Sequence, residues 1–227
     1  MVNIRRVLDL KAMAAEVALT AGDYLTARHR LPANDAAAIF ELVAPLGQGD
    51  VGGIAYAVFV FVLTGQFSIN DIFFEKDCGF KISAGMAFRW TAVPNTCLFV
   101  MSVPATEQTE EEVITINPQA QMSPSSPPPV EYLQGPVPVC QSAPAWRSCE
   151  GQFYGGIWAS TPYSRKQIPY AHDEFMFLLE GCVTFVCDLG EKQTFRAGDA
   201  FLICRGASCS WDSPEDVKKI YVIFRPE

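Results

Sequence analysis

Short apolar runs, broken by glycine or polar turns, recur along most of the chain. In the first half they fall at residues 37–43, 54–63, 66–74, 80–82, 87–92 and 98–103. In the second half they fall at 153–159, 165–168, 172–179, 182–188, 192–196, 200–203, 209–212 and 217–224. Runs of this length, rich in Val, Ile and Phe and closed by turn residues, predict strands. On a regular strand alternate side chains share a face, which puts Tyr170, His172, Glu174, Met176 and Leu178 together. Glu180-Gly181 then ends that strand in a tight turn, because glycine accepts a positive φ. One helical pattern stands apart: Leu8, Ala12, Ala15 and Leu19 form an apolar stripe in an alanine-rich stretch, predicting a short helix over 7–20.

The strand pattern is interrupted once. From Thr91 to Ala145 there is no Lys, Arg or Asp, and seven prolines crowd between Pro118 and Pro138. Proline stiffens the backbone and removes a donor, so residues 105–137 read as an extended linker. An ordered arm anchored by Ile114, Ile116, Tyr132 and Leu133 is the alternative. The expected division is a helical arm at 1–30, a β unit at 31–104, the linker at 105–137 and a second β unit at 138–227. Two β units of similar length suggest an internal duplication. Residues 51–70 carry no charge and are long enough to span a bilayer. Their dense apolar part covers only 54–63 and is flanked by Gly52, Gly53 and Gly65, as in a buried strand.

Composition narrows the function. Hydrophobic residues make up 49% and charged residues 19%, enough for a packed core. A net charge of −8 offers no footprint for phosphate backbones or anionic lipid surfaces, so no nucleic-acid or membrane partner is expected. The eight cysteines form no CxxC pair, and no export signal is visible, which predicts buried, reduced thiols in a cytoplasmic protein. His29, between Arg28 and Arg30, reads as an exposed loop residue.

The second β unit resembles a cupin, and more narrowly the (S)-ureidoglycine aminohydrolase-type family that includes the ethanolamine-utilisation Q-like proteins. The resemblance rests on Gly156-Ile157-Trp158 with Thr161-Pro162, Asp173-Glu174-Phe175, and Leu179-Glu180-Gly181. It continues through Phe195-Arg196-Ala197-Gly198-Asp199-Ala200-Phe201, Arg205-Gly206, Trp211 and residues 217–223. Phe61-Val62-Leu63-Thr64-Gly65 and Gly85-Met86-Ala87-Phe88 look like the corresponding turns of a degenerate first cupin. The implied fold is all-β: two RmlC-like jelly-roll barrels, a bicupin. Cupins commonly hold a divalent metal with two histidines and a glutamate from one motif and a histidine from a second. Here Glu174 keeps the glutamate position. Ile168 and Tyr170 (or Gln167 and Pro169) stand at the paired histidines, Cys209 at the last one, and Val58 at the glutamate of the first unit. The chain has two histidines, His29 and His172, in different units.

Three readings follow. The first is metal-independent acid–base chemistry, of isomerase, cyclase, lyase or hydrolase type, on a small organic substrate. In it His172 and Glu174 are the polar pair, and Tyr170 and Tyr163 are weak acids. Trp158, Met176, Phe201 and Trp211 would wall the pocket, with Arg205 at its rim to meet a carboxylate. The second is an aminohydrolase-like enzyme with one divalent metal, Zn, Fe or Mn, on Glu174, Cys209 and His172. The third is a non-catalytic binding or structural bicupin. Phe175 and Phe177 are expected to face away from the pocket, toward a sheet or subunit contact, which suggests a homodimer.

Overall fold

The computed structural model describes residues 7–32, 37–104, 112–188 and 190–226 of the chain. The first elements among the described residues are Val7–Asp9 (β1) and Leu10–Glu16 (α1). The helix predicted over 7–20 is therefore shortened to seven residues. Val7 and Leu8 pair in register with Ile203 and Leu202 and are fully buried, so tertiary pairing overrides local helix propensity. β1 belongs with residues 116–226, and residues 10–115 form a second compact unit.

The amino-terminal unit contains β2 (Arg28–Arg30), β3 (Ile39–Val43), β4 (Gly47–Val51), β5 (Tyr56–Thr64), β6 (Gln66–Ile69) and β7 (Ile72–Glu75). It continues with β8 (Gly79–Ile82), β9 (Phe88–Ala92), β10 (Cys97–Pro104) and β11 (Val113–Thr115). They form two antiparallel sheets, β11-β8-β5-β10-β3-β2 and β4-β9-β6-β7. The uncharged stretch 51–70 becomes β5 and β6, joined by a turn at Gly65 with φ of 75°. No helix among the described residues is long and apolar enough to cross a membrane. His29 is exposed, but on a short strand rather than in a loop.

The carboxy-terminal unit contains β12 (Ser123–Ser125), β13 (Cys140–Arg147), β14 (Phe153–Ser160), β15 (Tyr163–Pro169), β16 (Asp173–Glu180) and β17 (Cys182–Val186). It closes with β18 (Lys192–Arg196), β19 (Ala200–Ile203), β20 (Ser208–Ser213) and β21 (Val217–Phe224). Its sheets are β1-β19-β16-β21-β14-β13-β12 and β15-β20-β17-β18. The stretch expected to be a linker is ordered wherever it is described; residues 105–111 lie outside the described residues. β11 pairs with β8 and β12 with β13. Proline is tolerated in β12 because that strand is a sheet edge, where a missing donor faces no partner.

The two units repeat one topology. Strands β3 to β10 and β14 to β21 succeed one another in the same order, and β8-β5-β10-β3 matches β19-β16-β21-β14. The second sheets, β4-β9-β6-β7 and β15-β20-β17-β18, match in the same way. Each unit is an all-β barrel of two sheets with a core between them.

Candidate functional site

A cavity of about 680 Å³ opens into the carboxy-terminal barrel. Its polar centre comes from β16 and β21, which lie side by side. Glu174 projects inward from β16. Lys219 projects inward from β21, on the face that Val217, Tyr221 and Ile223 share by alternation. The Lys219 ammonium donates to Glu174 Oε1 at 2.9 Å and to Met176 Sδ at 3.1 Å. It also lies 5.1 Å from the ring centres of both Trp158 and Trp211, within cation–π range. Both members of the pair are buried. Burial alone would raise the Glu174 pKa; the Lys219 charge, and then His172, outweigh it and hold the carboxyl down at about 2.

His172 stands just before β16, with Nε2 at 3.4 Å from Glu174 Oε2. Arg225 Nη2 lies 3.3 Å from His172 Nδ1. A guanidinium only donates, so Nδ1 accepts and the ring proton sits on Nε2, facing Glu174. Arg165, on β15, is buried; its Nη2 donates to Tyr170 Oη at 2.7 Å and its Nη1 to the Cys209 carbonyl at 3.3 Å. Burial pushes the Tyr170 phenol up to about 12, against the opposing Arg165 charge, and raises Tyr163 further still. Both phenols therefore stay protonated. Tyr163 stacks on Trp211, with ring centres 5.5 Å apart, and the two Trp rings meet edge to face at 6.0 Å.

Residues 147–221 match the family model of the EutQ-like cupin domain. The chain as a whole has the two-barrel fold of the cupin proteins it resembles in structure. It is similar in structure to a DUF861-family protein of unknown function from Pseudomonas syringae pv. tomato str. DC3000, with a TM-score of 0.79 and 23% identity over 86% of this chain and 85% of that one. It is also similar to a Cupin 2 conserved barrel domain protein from Leptotrichia buccalis, with a TM-score of 0.56 and 11% identity over 98% of both chains. The E. coli DUF861-family protein YlbA gives 0.51 and 11%, over 87% of this chain and 81% of that one. These likenesses concern the fold. No curated protein matches the chain in sequence.

The metal set that the cupin resemblance implies does not fit this chain. Cys209, expected as a thiolate ligand, is joined to Cys187 in a disulfide across facing strand positions. That also corrects the expectation that the cysteines are all reduced. Glu174 already holds an ammonium on one oxygen and His172 on the other. Ile168, at one paired-histidine position, is hydrocarbon, and the Tyr170 hydroxyl is held by Arg165. Among the described residues no three His, Cys, Asp or Glu side chains converge as a metal cluster.

Of the other predicted site residues, Glu174, His172, Tyr170, Tyr163, Trp158 and Trp211 line the cavity. Met176 sits behind Lys219 as a sulfur acceptor. Phe201 does not line it; the ring is buried in the core, stacked on Phe195 at 4.0 Å. Arg205 is also absent from the lining, and its backbone N–H donates to Asp173 Oδ1 at 2.8 Å, fixing the turn. Phe175 and Phe177 are buried, so they offer no exposed face for the expected homodimer. The sequence reading missed Lys219, Arg165, Arg147 and Arg225, all of which line the cavity. One signal was present: adjacent lysines at 218 and 219 cannot both face outward on a strand.

Proposed function

We propose that the carboxy-terminal barrel is a small-molecule enzyme that works by acid–base chemistry without a metal, of isomerase, cyclase or lyase type. The observation that supports this reading is the buried Lys219 ammonium inside a cavity, aligned by Glu174 and boxed by two tryptophans. A fixed cation in a water-poor site stabilises an oxyanion as it develops, at no reorganisation cost. Glu174, held well below the usual carboxylate range, is a weak base and acts as a positioning residue. His172 takes the proton at Nδ1, the substrate C–H replacing Arg225 as the partner of that lone pair. In the step this supports, a C–H bond beside a substrate carbonyl breaks, its proton goes to His172, and the electron pair moves to the carbonyl oxygen beside Lys219.

Hydrogen–deuterium exchange tests this without knowledge of the product. Small keto acids are incubated in D₂O with the protein, and loss of the α-proton signal is followed by NMR. The expected result is catalysed exchange that survives dialysis against a chelator and falls about 100-fold or more in Lys219→Met. Exchange that chelation abolishes, or that Lys219→Met leaves intact, overturns the reading.

A further inference from the structure

The cavity is cationic inside an acidic chain. Arg147, Arg165, Lys219 and Arg225 line it against a single carboxylate, Glu174, while the whole chain carries −8. Lys219 is neutralised by Glu174. Arg165 is different. It is 6% exposed, and among the described residues its hydrogen bonds go to two neutral acceptors, Tyr170 Oη and the Cys209 carbonyl. A guanidinium has five N–H donors and stays charged at any ordinary pH, so donors remain, and no carboxylate among the described residues pairs with it. Burying an unpaired charge is costly, and a fold does not keep one for packing alone.

The sister barrel removes the packing explanation. Arg165 faces Trp211 in register, and the matching pair in the amino-terminal barrel is Gly49 and Trp90. There the Trp90 ring fills the space over the glycine: a Cβ at Gly49 would meet Trp90 Nε1 at 2.8 Å. The same topology closes without an arginine.

We infer that the substrate carries a carboxylate, and that the Arg165 guanidinium is its seat. The inference takes the cavity to be the substrate site, as proposed above, and it adds the substrate class. One planar fork flanked by neutral partners matches one planar, singly charged group. A phosphate dianion would call for a second unpaired cation at the same depth. Seated there, the acid lies in the same cavity as the Lys219 ammonium.

Isothermal titration with two- to six-carbon carboxylic acids, their primary amides and inorganic phosphate tests this directly. The expected result is that at least one carboxylate binds at millimolar concentration or below, about tenfold or more tighter than its amide and tighter than phosphate. Arg165→Gln keeps hydrogen-bond donors but loses the charge; it should erase that preference, and Arg165→Lys should retain part of it. Equal binding of acids and amides, stronger binding of phosphate, or no binding by any acid overturns the inference, and wild-type protein alone decides these. An Arg165→Gln variant that binds acids as wild type does overturns it too. Binding and exchange fail separately: a Lys219→Met variant without an exchange defect refutes the acid–base reading and leaves the carboxylate seat standing.

Discussion

The two barrels share a strand order and differ at their centres. Both turn glycines, Gly65 and Gly181, have positive φ, and counting back seven residues from each reaches Val58 and Glu174. In β21, Lys219 pairs with Leu178 and Trp158; in β10, Leu98 pairs with Val62 and Val43 at the matching positions. Ion pair and indole on one side are thus Val58, Leu98 and Val43 on the other, all buried. Tyr24 adds its ring to that second core, 5.6 Å from Phe67 and 5.9 Å from Phe88. One barrel is filled with hydrocarbon and the other keeps a cavity around a charge pair. The fold therefore does not require the pair, and its presence in the carboxy-terminal barrel calls for a functional reason.

The largest effect that tests this contrast comes from giving one barrel the other's centre. Glu174→Val strands the Lys219 charge and should cost about 4 kcal/mol, as breaking a buried pair from one side does. Lys219→Leu should cost a similar amount. The double variant Glu174→Val/Lys219→Leu restores the amino-terminal pattern and should return to within about 1 kcal/mol of wild type, while losing exchange activity. Denaturant unfolding with a probe in the carboxy-terminal barrel measures all three. Additive losses in the double variant would mean that the two centres are not interchangeable.

Emptying the filled barrel should do less. Tyr24→Ala opens a cavity among Phe67, Phe88 and Trp90 and should cost about 3 kcal/mol. It should leave carboxylate binding unchanged, because binding is assigned to the other barrel. A loss of binding in Tyr24→Ala would blur the division of labour between the two.

Several features of this contrast were legible in the residues and others were not. The position and inward aim of Glu174 follow from the turn at Gly181 and simple alternation. Arg165 escapes the same counting, because the β15–β20 register shifts between Arg165 and Ile168. That irregularity swaps the inward parity from odd to even within one strand. Lys219 is legible from its neighbour Lys218, because adjacent residues of a strand point to opposite faces. The Cys187–Cys209 bond joins residues 22 apart that only the β17–β20 approach brings together. Leu8 begins a helical stripe locally, and the open edge of β19 captures it, with Val7, as a strand. For Arg165, the disulfide and β1, a tertiary partner decides what local pattern leaves open.

Glu174 ties these points together, because its ionisation reports whether it faces an ammonium. Its folded pKa lies below the ordinary value of 4.5, so as the pH falls the unfolded chain takes up the proton first. Stability from the pair is whole above about 4.5 and is lost progressively as the pH falls toward 2. A carbon-13 NMR titration of the Glu174 side-chain carboxyl carbon measures that ionisation in place. The predicted midpoint is about 2 in the wild type, rising in Lys219→Met, where only His172 still opposes burial. A wild-type midpoint at or above 4.5, or one that Lys219→Met does not move, would contradict the central claim that a buried charge pair organises this barrel.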